Sequence, residues 1–148
     1  MSLKAEIQKA LTDAMRNRDE LRKVPLRLVM AAIKEAEIDK QQDLEEPEVL
    51  RIVQKEAKAR LDTITDAKKA DRSDLVSRAE AELAVLKEFL PEELSQEKIE
   101  ALIRETIAEV GAVSMADMGN VMKALMPKVQ GRADGSQVSQ LVRKVLQQ

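Results

Sequence analysis

Histidine, cysteine, tryptophan and tyrosine are all absent from this 148-residue chain, and Phe89 is its one aromatic residue. Without cysteine there is neither a disulfide framework nor a thiolate metal site. Without histidine the commonest general acid–base at neutral pH is missing, and the usual nucleophile–base pairs cannot be assembled from what remains. The lack of rings argues against a stacking platform for single-stranded nucleic acid. No apolar run approaches the ~20 residues of a membrane-spanning helix. The N-terminal segment is charged and amphipathic rather than signal-like. There is no P-loop, dinucleotide fingerprint or calcium loop. The expectation is a soluble cytoplasmic protein with no cofactor, no metal and no membrane attachment. No catalytic residue is assigned. The paired carboxylates Glu45/Glu46, Glu92/Glu93 and Glu80 with Glu82 fall where exposed helix faces and helix N-termini are expected, and acidic residues are favourable there in any case.

What the chain does have is charge (35%) and aliphatic residues in helical register, at a net charge of −2. Ile7, Leu11, Ala14 and Met15 mark one face of a helix over 3–18. Leu26, Val29, Met30 and Ile33 mark a second, centred on 26–38 and starting near Pro25, since proline suits a first turn. Pro47 opens a third helix over 46–69, whose expected core seam is Leu50, Val53, Ala57, Leu61 and Ile64. Arg51, Lys55 and Lys58 lie on another of its faces. A fourth helix follows Ser73, with Leu75, Ala79, Leu83, Leu86 and Leu90 turned inward. Pro91 disfavours helical geometry at Leu90 and sets a domain boundary. The division is therefore an N-terminal four-helix domain, 1–90, and a C-terminal three-helix domain, 91–148. In the latter, 96–110 buries Ile99, Leu102, Ile103 and Ile107, and about 136–147 offers Val138, Leu141, Val142 and Val145. The fold class is all-α.

The most distinctive stretch is GAVSMADMGNVMKALMPKVQGRADG, residues 111–135, which holds all four glycines and four of the seven methionines. Gly111 suits a left-handed helix end. Ser114 and Asp117 resemble a capping box, and Asp134 with Gln137 form another candidate. Met115, Met118, Met122 and Met126 fall on one helical face, more often core filler than a recognition groove. Pro127 is expected to end or kink their helix. Gly119 costs about 1 kcal/mol relative to alanine in a helix, which a close helix crossing or a backbone approach to a ligand would explain. The connector from Gly131 to Gly135 follows no strand and lacks a Walker lysine, so it is weak as a phosphate cradle.

That stretch, together with LKEFLPEEL at 86–94, resembles the GatB/YqeY family: small stand-alone helical proteins of the YqeY type, related to the tail domain of the B subunit of aspartyl/glutamyl-tRNA amidotransferase. The likeness to the stand-alone members covers essentially the whole chain, and that to the amidotransferase subunit should cover only its C-terminal part. That tail usually has no proline at the place of Pro127, so the helix end before the GRAD loop is expected to differ. The resemblance implies tRNA as a partner, through a phosphate-contacting surface of Lys123, Lys128, Arg132, Arg143 and Lys144, with backbone N–H groups of Gly135 and Ser136 adding to it. The charge distribution is compatible. Residues 92–109 carry six acidic and two basic residues, whereas 111–148 carry five basic and two acidic ones. Two other functions stand beside it. One, also implied by the resemblance, is a carbon–nitrogen ligase using glutamine as amide donor. The other is a protein–protein adaptor docking through the methionine helix.

Overall fold

A computed structural model describes residues 1–129 and 132–148. Among these the protein is all-helical, with seven α-helices, one 3-10 turn and no strand. It divides into two compact units, Met1–Leu90 and Pro91–Gln148.

The first unit contains α1 (Leu3–Arg16), α2 (Glu20–Lys40), α3 (Glu46–Lys69) and α4 (Ser73–Lys87). Its core gathers Ile7 and Leu11 of α1, Leu26, Val29 and Ile33 of α2, Val49, Val53 and Ala57 of α3, and Leu83, Val85 and Leu86 of α4. Full burial of each valine, leucine or isoleucine side chain among them is worth about 1.5–3 kcal/mol. Side chains close two of the helix starts. Ser2 accepts the N–H of Ala5, and Asp19 accepts that of Arg22.

The Asp19 cap moves the start of α2. The helix begins at Glu20, so Pro25 lies in its second turn and is buried. The bond lost with the missing N–H is the one to the carbonyl of Leu21, a residue 53% exposed, where water can replace it. Met15, expected inside, is half exposed because the α1 face closes at Ala14.

The inner line of α3 also differs from expectation. Val49, Val53, Ala57 and Ala67 are buried, with Ile64 partly so, whereas Leu61 is 50% exposed. The helix turns Arg60 inward instead. Its guanidinium Nε sits 2.8 Å from Oε2 of Glu82 on α4, and its Nη2 3.7 Å from Glu56. The contact is ionic rather than an aligned hydrogen bond, for Nε is buried with no hydrogen-bond partner. Arg78 approaches the other Glu82 oxygen at 3.4 Å. Glu82 is therefore buried, contrary to the surface role expected of it, and Leu75 is exposed. At the other end of the unit, the Glu37 carboxylate takes Lys4 Nζ at 2.8 Å and the N–H of Leu44 at 3.0 Å. It thereby ties α1 and the loop after α2 to α2 itself.

Candidate nucleic-acid interface

The second unit is built from α5 (Gln96–Val110), α6 (Met118–Val129) and α7 (Gly135–Leu146). Ser95 caps α5 through the N–H of Lys98. Gly111 ends it at φ 68°, the left-handed conformation that glycine adopts without a Cβ clash. Asp117 then accepts the N–H groups of Val113 and Ser114 while Ser114 accepts that of Ala116, which sets a 3-10 turn over Met115–Asp117 ahead of α6. Ile99 and Ile103 from α5, Val121, Leu125 and Val129 from α6, and Val138, Leu141 and Val142 from α7 form the core. Thr106 is fully buried as well, its hydroxyl donating to the Leu102 carbonyl at 2.7 Å.

The methionines flank this core. Met118, Met122 and Met126 are half-buried against it, and Met115 belongs to the 3-10 turn rather than to α6. Pro127 does not end the helix, which continues to Val129. The carbonyl left without a partner is that of Lys123, an exposed residue open to solvent. Gly119 marks no helix crossing. A Cβ built there meets nothing within 4 Å. The close packing expected at Gly119 is therefore not found.

The basic side chains fall into two groups. Lys123 on α6 and Arg143 and Lys144 on α7 are exposed. Among the described residues none has a carboxylate within ion-pair distance, the pair found in this unit being Lys128 with Glu109. Lys128 reaches back to α5, with Nζ 2.9 Å from Glu109 Oε2 and 3.1 Å from Thr106 Oγ1. Arg132 anchors the loop before α7. Its Nε donates to the Glu92 carbonyl at 3.3 Å, and its own carbonyl accepts the N–H of Leu94 at 2.8 Å. Asp134 caps α7, but through the N–H of Ser136 at 3.2 Å and not through Gln137. The Ser136 N–H is thus already given to a carboxylate, and Gly135 sits beside that same negative charge. Gly131, the first residue of the expected connector, lies outside the described residues.

A shallow cavity of about 520 Å³ lies between the C-terminal ends of α5 and α7, lined by Ile107, Ala112, Val113, Val145 and Leu146 with Arg104 beside them. Arg104 is its one titratable side chain, so it offers no acid–base pair. Among the described residues no group of three acidic, histidine or cysteine side chains converges to hold a metal, and no helix is long and apolar enough to cross a membrane.

Helices in two small units, the second carrying a basic excess on α6 and α7, define a small all-helical protein whose features are a surface rather than a cleft. The chain belongs to the family described as Yqey-like protein, whose family model matches residues 4–146. It is 35% identical over 109 residues to the altered inheritance of mitochondria protein 41 of Lachancea thermotolerans. The match covers 72% of this chain and 58% of that relative, so the chain spans less than two thirds of the relative's length. Shorter stretches are similar to the E subunits of two archaeal glutamyl-tRNA(Gln) amidotransferases. The identity is 41% over 59 residues in Thermococcus gammatolerans (37% of this chain, 9% of the relative) and 46% over 50 residues in Thermococcus sibiricus (34% and 8%). The resemblance to an amidotransferase subunit thus extends over part of this chain, as expected.

Proposed function

We propose that this protein is a tRNA-associated binding module whose C-terminal unit contacts the RNA backbone. The observation that carries the reading is the trio Lys123, Arg143 and Lys144, exposed and without carboxylate partners among the described residues. Cations left free in this way can neutralise phosphates and release counterions. The similarity to proteins named for glutamyl-tRNA makes tRNA the polyanion of choice. Lys128 and Arg132 join the surface only by leaving Glu109 and the Glu92 carbonyl, and at Gly135 and Ser136 a phosphate competes with Asp134. With no exposed aromatic ring available, recognition is of backbone and shape rather than of stacked bases. The proposed place of action is the cytoplasm, and the relative named as mitochondrial is the counter-case.

The test is tRNA retention by the full chain across a salt series, with the K123Q/R143Q/K144Q variant beside it. Binding that weakens with salt and is lost in the variant is the expected result. Equal binding by both proteins refutes the surface. Carbon–nitrogen ligase activity ranks second, because the stretch shared with the Thermococcus gammatolerans relative is only 9% of that protein. Conversion of Glu-tRNA to Gln-tRNA by the purified chain alone would reverse this order. The adaptor reading keeps one support, the exposure of Met115 and of Val113 (87%), the latter lining the shallow cavity.

A further inference from the structure

We infer that the outer face of α3, carrying Arg51, Lys55 and Lys58, is a second contact surface for RNA backbone phosphates, on the N-terminal unit. This rests on the tRNA reading above and extends it to a part of the chain that the C-terminal surface does not involve. The three residues are spaced four and three apart, so they share one helix face. All three are exposed, and the buried line Val49–Val53–Ala57 runs along the opposite side.

None of the three forms an ion pair among the described residues, although Arg51 lies near enough to Glu48 for its charge to help lower that carboxyl. The residues three and four places from Lys55 are Arg51, Ile52, Lys58 and Ala59, so its two charged helical neighbours are both cations and repel it. Two nearby acids have other partners. Glu48 pairs with Lys40, and Glu56 turns toward Arg60. Asp62, one turn beyond Lys58, forms no ion pair with it among the described residues. Among the described residues of this unit, Lys4, Arg22, Lys23, Lys40, Arg60, Arg72 and Arg78 each meet a carboxylate within 4 Å, whereas Lys9, Lys34 and Lys87 do not. What sets Arg51, Lys55 and Lys58 apart from those last three is their grouping on one helix face. A self-repelling basic stripe on the solvent side of a helix lowers its own energy by taking up an anion with several charges. The stripe is about 10 Å long at 1.5 Å per residue. A nucleic acid strand presents a charge about every 3.4 Å along its axis, so two or three phosphates match it. With no ring nearby, the contact is to backbone and carries no base preference.

The experiment measures binding of unfractionated tRNA to the full chain as a function of salt, for wild type, R51Q/K55Q/K58Q and K9Q/K34Q/K87Q. The last variant removes the same charge from exposed lysines on other helices. All three proteins are first checked for an unchanged helical circular dichroism spectrum and melting temperature. The expected result is a slope of log affinity against log salt that becomes shallower by about 0.7–0.9 for each contact removed in the α3 variant, and stays near wild type in the control. If wild type binds and the α3 variant keeps both affinity and slope, the α3 surface is refuted and the C-terminal surface stands. Equal loss in the α3 variant and the control also refutes it, since net charge then explains the effect. If wild type shows no salt-sensitive tRNA binding, the tRNA reading falls and this surface with it.

Discussion

Arg60 and Glu82 meet across the α3–α4 hairpin at 2.8 Å, with side chains only 13% and 11% exposed. The pair stands where a leucine seam was expected, and it sets the rotation of α3 about its axis. Breaking a buried pair by removing one partner leaves an uncompensated charge, at a cost of about 3–5 kcal/mol, whereas apolar replacement of both partners is often neutral or better. Glu82→Ala, which leaves Arg60 only its looser 3.7 Å contact with Glu56, should therefore lower the urea midpoint, and the Arg60→Met/Glu82→Leu double variant should recover most of it. Equal loss in the single and the double variant would show that the pair does not govern the site.

Glu37 yields a pH prediction. Lys4 first, then the N–H of Leu44, hold its carboxyl below the ordinary value of 4.5. The hydrogen bond that Lys4 donates to Glu37 in turn holds its ammonium above 10.5. A lowered carboxyl contributes stability that is fully present above its unfolded value and lost as pH falls through the folded one. A raised ammonium contributes stability below 10.5 that is lost as pH climbs past its folded value. Urea midpoints of wild type should fall on acidification below about pH 4.5 more steeply than those of Glu37→Gln. Parallel acid limbs would remove Glu37 from the account.

Gly119 lies in the first turn of α6 with nothing near the position of a Cβ. Gly119→Ala should then stabilise the protein by up to about 1 kcal/mol, the helical preference for alanine over glycine. Thermal unfolding measures this directly. A lower melting temperature would mean that the space is not free. A higher one combined with weaker tRNA binding would assign the bare backbone to a close approach by RNA.

Lys128 holds α6 to α5 through Glu109 and Thr106. The pair is partly exposed, at 30% and 52%, so Lys128→Gln should cost no more than about 1 kcal/mol. Lys128→Glu, which sets a second carboxylate beside Glu109, should cost more. Denaturant unfolding of the two variants checks the order. A charge reversal at Lys128 is consequently a poor probe of RNA binding, and neutralisation at Lys123, Arg143 and Lys144 a better one.

The helices are legible in the sequence wherever chemistry marks their ends. Pro47, Ser95, Gly111, Ser114 and Asp134 all stand at or beside observed termini. Prolines mislead where solvent can replace the bond they remove, as at Pro25 and Pro127. Arg18, Gln41 and Asp71 adopt left-handed backbone at helix ends without being glycine, so no residue type announces those turns. The inward turn of Arg60 is hidden because Leu61, its neighbour, fits a helical period about as well. On the proposed surface, sequence supplies the cations but not their partners. Only the packed helices reveal that Lys128 and Arg132 are tied to the protein while Lys123, Arg143 and Lys144 are free of ion pairs among the described residues.

Three methionines sit half-buried along the edge of the second core, in a chain with no cysteine to be oxidised before them. Conversion of Met118, Met122 or Met126 to the sulfoxide would place a polar S–O group against Val121, Leu125 and their neighbours. The first unit contributes Met30 to its own core margin, but no comparable row. Peroxide exposure therefore threatens the two halves of the molecule unequally, and the half carrying Lys123, Arg143 and Lys144 is the more vulnerable.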